Sequence, residues 1–358
     1  MAKKPSKRRS TRKERSSLWD WTLHGVTQTS LTQWLNCREQ FSLGYIEGWT
    51  PRGFSVPLEF GNLIHLMLQH QVGSSLPEKT ARKVCKDYEA ARKPQLRGTD
   101  DYQQMQKTIV AAEALFPRYV RFWTKDDLKQ KWIGREKVFK VEHKFGYSRG
   151  KFLNTKWIPD YYQETQKVLL NGMRDGEYRT LKGKLGLFET KTKGSIDDMA
   201  IHSGLRADLQ TMFYMWSLYL ETGEWPTECL YNVIRRPGLI YNPKKETLQQ
   251  YGQRIGKDID ERPEYYFRRW HVTVLQQDLE AFIRTVLDPA LRLMFQWWES
   301  IAENPLDRFQ SPYHFVNLAG LSNKYGRAPL YELMILNRRE SYFRRSSLFP
   351  ELQGGLAA

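Results

Sequence analysis

The order of the apolar runs constrains the fold of this chain most. Residues 135–148, REKVFKVEHKFGYS, alternate in polarity like a strand. QKVLLNGMRDGEY (166–178) and KLGLFETKTKG (184–194) are two further strand-like runs. ADLQTMFYMWSLYLE (207–221) is then strongly helical, and ECLYNVIRRPG (228–238) reads as a fourth strand stopped by Pro237 and Gly238. Three strands, a helix and another strand indicate an α/β core. The flanks read differently. Helical patterns are expected over 28–46 with Ser30 as N-cap, over 58–71, 79–94 and 100–130, and again after about 270, where LQQDLEAFIRTVLDPALRLMFQWWESI (275–301) is the longest. The expected organisation is a disordered basic tail (1–20), a helical N-terminal part (21–133), a core (134–240) and a helical C-terminal part (241–358) packed on it.

Charge narrows the class of partner. The chain of 358 residues has a formal net charge of +16. Residues 1–15 hold eight Lys or Arg and one acid, so 8 − 1 = +7, which leaves 16 − 7 = +9 for the rest. A basic body with a basic arm favours a polyanion, nucleic acid first. The arm, MAKKPSKRRSTRKERSS, lacks the apolar stretch of a signal peptide, and no run approaches the length of a membrane helix. Cys37, Cys85 and Cys229 are few and far apart, with no disulfide framework or CxxC zinc site. A cytoplasmic protein without membrane attachment is the expectation.

The run GLFETKTKG (186–194) carries the chemistry. On a strand Glu189 and Lys191 share a face and Thr190 points the other way. A solvated ion pair is the bland reading of such a pattern. Asp175, in NGMRDG, precedes Glu189 by fourteen residues (189 − 175), a separation that suits two neighbouring strands joined by a hairpin. Two carboxylates and a lysine brought together have a specific use. The carboxylates hold a hard divalent cation, which polarises a phosphate and acidifies water, while the lysine orients that water or stabilises developing charge.

Several segments in order resemble the PD-(D/E)XK nuclease superfamily, in its RecB-like branch. FGNLIHLML (60–68) resembles the G-x-x-x-H helix, with Gly61 and His65 in place. NGMRDG resembles the motif with the metal-binding Asp, FETKTK the (D/E)-x-K motif, and LQTMFY the Q-x-x-x-Y helix, here Gln210 and Tyr214. TQTSLTQWLNCREQFSLGYI resembles the amino-terminal segment of the same proteins. The resemblance covers roughly residues 28–240 and implies an α/β restriction-endonuclease-like fold, a mixed central sheet flanked by helices. It implies a Mg²⁺- or Mn²⁺-dependent DNA nuclease of the exonuclease kind, acting on single strands or ends. DNA repair, recombination or phage replication would be its setting. It further implies that His65, Asp175, Glu189 and the Thr190 carbonyl ligate the metal, that Lys191 serves the attacking water, and that Gln210 and Tyr214 hold the DNA backbone. Lys193, Arg235 and Arg236 are candidate phosphate contacts, and Glu142 a candidate support from an adjacent strand.

Relatives with an iron–sulfur cluster use four cysteines, and Cys37 alone stands where one would be. One thiolate cannot hold such a cluster, so none is expected. Packing of Phe309, Phe315, Tyr331 and Leu333 is the expected substitute. No G-x-x-x-x-G-K-[ST] is present, so no ATP-driven helicase activity is encoded, and the expectation is a protein that works alone or with a recombinase or single-strand binding protein. The alternative reading is a catalytically silent nucleic-acid-binding scaffold of the same fold.

Overall fold

The computed structural model describes residues 17–71, 76–153, 156–197, 204, 208–317, 322–323, 326–345, 347–349 and 352. Most of the expected basic tail therefore lies outside the described residues.

A six-stranded mixed sheet forms the centre. Its strands are β1 (Val26–Thr27), β2 (Lys131–Leu153), β3 (Lys156–Arg179), β4 (Leu185–Lys193), β5 (Glu228–Arg235) and β6 (Phe267–Thr273). β2, β3 and β4 run antiparallel in succession. β5 is parallel to β4, β6 is antiparallel to β5, and β1 pairs parallel with β3 at Leu170 and Asn171. The parallel β4–β5 step needs a crossover, and the helix Leu209–Thr222 (α5) supplies it. The sheet draws β1 and β6 from outside 134–240. Phe267–Thr273 carries no strand signature in its sequence because its burial alternates poorly, with only Phe267 and Val272 buried.

Helices cover the sheet through two cores. One packs Trp19, Trp21, Trp34 and Trp297 with Phe213, Met215, Leu187 and Val233. The other packs α2 (Val56–Gln71), α3 (Pro77–Leu96) and α4 (Asp100–Asp127) against α6 (Leu248–Glu261) through Phe60, Tyr88, Phe116, Tyr251 and Ile255. Near the amino terminus the expected single helix over 28–46 is broken. α1 (Gln28–Asn36) ends at Cys37, whose backbone is extended (φ −162°, ψ 112°), before Arg38–Phe41 and a π-helical turn. Its N-cap is Thr27, not Ser30. Ser30 sits at the third helical position, and its Oγ accepts from the Thr27 N–H at 2.9 Å while its own N–H donates to Thr27 Oγ1 at 3.1 Å, closing a reciprocal cap. Among the described residues no helix is long and apolar enough to cross a membrane.

The carboxyl-terminal segment docks by charge rather than by the expected aromatic packing. Phe309 and Phe315 are 65% and 50% exposed, and only Leu333 of the expected group is buried in a cluster, with Leu43, Leu330 and Tyr342. The joint is made instead at Glu39, two residues past Cys37. Its carboxylate accepts from Arg308 Nε and Nη2 at 2.6 Å each and lies 2.9 Å from His314 Nε2. Arg308 also reaches Glu47 at 3.0 Å. Burial opposes ionisation of Glu39, and the Arg308 and His314 bonds overcome it, holding its pKa below the usual carboxylate range.

Candidate active site

The G-x-x-x-H spacing of α2 has a steric reason. A Cβ on Gly61 would come within 3.1 Å of Thr192 Oγ1 on β4, so the helix crosses close to the strand. One turn later, on the same helical face, His65 reaches the sheet. Its Nδ1 lies 3.2 Å from Glu136 Oε1 on β2 and 3.7 Å from Asp175 Oδ1 on β3.

The strands open to make room for this contact. The β2–β3 ladder pairs Arg135 with Gly176 and Lys137 with Arg174, and the two residues left in the gap are Glu136 and Asp175. Glu136 has a left-handed backbone (φ 48°), a strained conformation for a residue with a Cβ. On its other side β3 pairs with β4 only as far as Gly176–Phe188, one step short of Asp175 and Glu189. In place of the next ladder bond, the Thr190 N–H donates to Asp175 Oδ2 at 2.6 Å. Local loss of pairing thus frees three carboxylates at the middle of the sheet.

Glu189 and Lys191 point the same way, as the strand period requires. Lys191 Nζ donates to Glu189 Oε1 and to Gln210 Oε1, both at 2.6 Å. Gln210 is placed by the start of α5, where Asp208 caps the helix by accepting from the Thr211 N–H at 2.9 Å. Thr190 projects to the other side, where its Oγ1 accepts from Asn232 Nδ2 at 3.3 Å. Asn232 accepts in turn from Arg269 (3.0 Å), which is bound to Asp127 (2.6 Å) and Tyr119 (3.0 Å). This chain fixes the peptide whose carbonyl is the candidate ligand.

Burial dominates the electrostatics. Glu189 is 0% and Asp175 7% exposed. Burial raises the Asp175 carboxyl to about 6 and the Glu189 carboxyl to about 7, with the charge of a neighbouring carboxylate adding to each and Lys191 and His65 opposing. For His65, burial works against the charged form, but Asp175 and Glu136 outweigh it and raise its pKa to about 9. Burial also opposes the Lys191 charge, and Glu189 and Asp175 reverse this and keep it protonated. Glu136 Oε2 and Glu189 Oε2 are both buried without a hydrogen-bond partner. Orphaned buried carboxylate oxygens are costly unless a cation meets them. His65, Glu136 and Asp175 each offer one ligand atom, all within 4.8 Å of one another. An imidazole and carboxylate set of this kind fits a hard divalent cation such as Mg²⁺ or Mn²⁺.

Other expected residues take different places. Tyr214 is buried with its ring edge-on to Phe139 at 5.7 Å, and its hydroxyl bonds Gln210. It supports Gln210 from within and does not present a surface to DNA. Glu142 is a correction: its side chain is 45% exposed and pairs with Lys167 at 3.1 Å, because regular alternation carries it out to solvent. Glu136, six residues earlier on the same strand, stands at the site instead. Nothing in the alternating run ranks one acid above the other, since the break in the ladder is a property of three strands together. Lys193 and Arg235 are ladder partners at the ends of β4 and β5. Arg235 stacks on Tyr265 at 3.8 Å, and Arg236 lines a cleft of about 290 Å³ with Lys107 and Tyr241. All three are partly exposed.

A family model described as the PD-(D/E)XK nuclease superfamily matches residues 26–303. No curated protein matches the chain. One solved structure, "Crystal structure of SSO0001", is 15% identical, covering 73% of this chain and 98% of its own, at a TM-score of 0.22. Likeness at that score carries no argument.

Proposed function

Because the chain belongs to the PD-(D/E)XK nuclease superfamily, we propose that it is a divalent-metal-dependent deoxyribonuclease of the RecB-like kind, an exonuclease acting on single strands or ends. The observation that carries this reading is Lys191 held between Glu189 and Gln210, beside Asp175 and an unpartnered Glu189 oxygen. Asp175, Glu189, the Thr190 carbonyl and His65 would hold the cation. Bound there, Mg²⁺ or Mn²⁺ would polarise the scissile phosphate and make nearby water more acidic. Lys191 orients the attacking water and stabilises charge on the phosphate, and Gln210 keeps the ammonium aimed. Lys193, Arg235 and Arg236 contact phosphates further along the strand, which positions DNA without reading its sequence. DNA repair, recombination or phage replication, with a recombinase or single-strand binding protein as partner, is the setting this chemistry suits.

The test is cleavage of end-labelled single- and double-stranded DNA with Mn²⁺, Mg²⁺ or EDTA, comparing wild type with Lys191→Ala. Metal-dependent cleavage lost in the variant supports the reading, and the product ladder gives polarity. Tight DNA binding with no cleavage by wild type in either metal would instead favour a silent scaffold of the same fold.

A further inference from the structure

The cleft of about 290 Å³ beside Arg236 takes no part in the chemistry at the carboxylates, yet its walls are firmly built. Val56 and Phe60 of α2, Lys107 of α4 and the loop 236–241 line it, and none of its lining residues is an acid. The loop is braced from three sides. The Arg236 N–H donates to the Lys193 carbonyl at 2.8 Å, and the Tyr251 hydroxyl donates to the Leu239 carbonyl at 2.8 Å. Arg254 Nη2 donates to the Ile240 carbonyl at 2.9 Å and to Glu246 at 2.6 Å. This bracing leaves Ile240 85% exposed and sets the half-buried Tyr241 ring in the cleft wall, 5.8 Å from Lys107 Nζ. Among the described residues neither Lys107 nor Arg236 has an acid partner. Two unpaired cations, an aromatic ring and an aliphatic wall suit a ligand that is anionic at one end and flat at the other. A nucleotide has that chemistry, and the volume holds about one.

We propose that this cleft is a nucleotide subsite that takes one unpaired nucleotide of the DNA strand, with its base seated against Tyr241 and Ile240 and its phosphate met by Arg236 and Lys107. The inference rests on the nuclease reading and deepens it by saying what lies next to the cut. Two elements give the same spacing. Lys193, whose carbonyl accepts from Arg236, is two residues beyond Lys191 on β4, about 7 Å along the strand. Phe60, which lines the cleft, is five residues before His65 on α2, again about 7 Å along the axis. At about 3.4 Å per stacked nucleotide, the cleft stands about two nucleotides from the carboxylates. A base held in a duplex cannot enter such a pocket without leaving its stack, so the cleft selects unpaired strands. Phosphate contacts from Lys193 and Arg235 alone make no such distinction. Stacking on a ring tolerates every base, so no sequence is read there.

The experiment is fluorescence anisotropy of labelled single strands with the full chain, in EDTA and at one salt concentration, so that binding is read without cleavage. A single abasic residue is moved through the strand one position at a time, which tests wild type without any variant. Wild type is also compared with Tyr241→Leu and Tyr241→Phe. Leucine keeps an apolar side chain against Tyr251, whose ring centre is 5.3 Å from that of Tyr241, but offers no ring to a base. One abasic position should weaken wild-type binding about tenfold, and Tyr241→Leu should weaken the intact strand by the same factor. The two together should lose no more than either alone, because they remove the same contact. Tyr241→Phe should bind as wild type does, and a flush duplex should bind all three proteins alike. Titration with dAMP separates a strand from a free nucleotide. If dAMP binding is lost in Tyr241→Leu while the strand binds unchanged, the cleft serves a free nucleotide and the strand assignment is overturned. An abasic scan with no sensitive position, or a Tyr241→Leu loss that is equal on strand and duplex, also overturns it. Tyr241-dependent strand binding in a wild type that cleaves no DNA with Mg²⁺ or Mn²⁺ would leave the subsite standing and sink the nuclease reading.

Discussion

Gln210 Oε1 accepts a hydrogen bond from Lys191 Nζ at 2.6 Å, the same distance that separates this ammonium from Glu189 Oε1. The lysine is therefore held between its own strand and the first turn of α5. If Gln210 is lost, the ammonium is left with Glu189 alone and swings toward it. Gln210→Leu should lower the cleavage rate about tenfold, on the order of one charge-assisted hydrogen bond misplaced in the transition state, with Mn²⁺ binding unchanged. Single-turnover rates beside Mn²⁺ titrations check this. An equal loss of metal affinity would mean that Gln210 acts on the ligands and not on Lys191.

The raised carboxyls make the metal-free protein sensitive to alkali. Asp175 and Glu189 titrate in the folded chain at about 6 and about 7, above their ordinary values of 3.8 and 4.5. The folded state thus binds more protons than the unfolded state in this window, and stability falls as pH rises through it. His65, raised from 6.5 to about 9, has the same sign: its contribution is full below 6.5 and is lost as pH rises through about 9. In EDTA the melting temperature should therefore fall from about pH 5 to about pH 9. Mn²⁺ competes with these protons, so its stabilisation should grow over the same range, reaching about 2.7 kcal/mol at a hundredfold excess over Kd. Thermal melts of wild type and Asp175→Asn in EDTA and in Mn²⁺ test both signs. A flat wild-type profile in EDTA would count against the buried, mutually repelling carboxyls.

Much of this was legible in the amino-acid order, for local reasons. Period-two alternation marks β2, a strand-like apolar run marks the end of β3, and a strongly helical pattern marks α5. Glu189 and Lys191 share a direction because the strand period makes them. What escaped depended on several elements at once. Glu136 is distinguished from Glu142 by a ladder break and a left-handed backbone, neither of which alternation encodes. Tyr214 looked like a surface partner of Gln210, but the close approach of α5 over Gly172 and Phe139 buries it. Asn232 reads as one more polar residue in an apolar strand. Its importance comes from Arg269 on a strand the pattern did not announce.

Arg174, next to Asp175, should be a main structural support of the site. It is fully buried, donating to Glu177 Oε1 at 2.7 Å, to Ser217 Oγ at 2.8 Å and to Glu221, with its guanidinium 4.5 Å from the Phe139 ring centre. It ties β3 to α5, and its removal strands the buried Glu177 carboxylate. Arg174→Ala should cost about 3–5 kcal/mol in urea unfolding, and Arg174→Met with Glu177→Gln should recover part of it. A loss below about 1 kcal/mol would show that solvent or Lys137 takes over the pairing.

The Glu39–Arg308–His314 joint anchors the carboxyl-terminal segment at a distance in sequence from the carboxylates of the site. Arg308→Ala leaves Glu39 buried beside His314. The ties that remain include Arg38 stacked between Trp34 (4.6 Å) and Phe315 (4.5 Å), the Trp297 Nε1 bond to His314 (3.2 Å) and the Asn317 bond to the Asn36 carbonyl (2.8 Å). A buried carboxylate that loses its guanidinium costs about 3–5 kcal/mol when it cannot relax, so the segment 305–317 should release locally before the sheet unfolds. Limited proteolysis of Arg308→Ala should give early cuts within 305–317, and Mn²⁺ binding should stay at the wild-type level. The joint is also acid-labile. Glu39 titrates below its ordinary value, so its contribution is present above about pH 4.5 and lost as pH falls through its lowered pKa. Wild type should then become protease-sensitive in the same segment with an acid-active protease. Resistance of this segment in both experiments would mean that the apolar contacts of Leu43, Leu330 and Leu333 hold it without the ion pair.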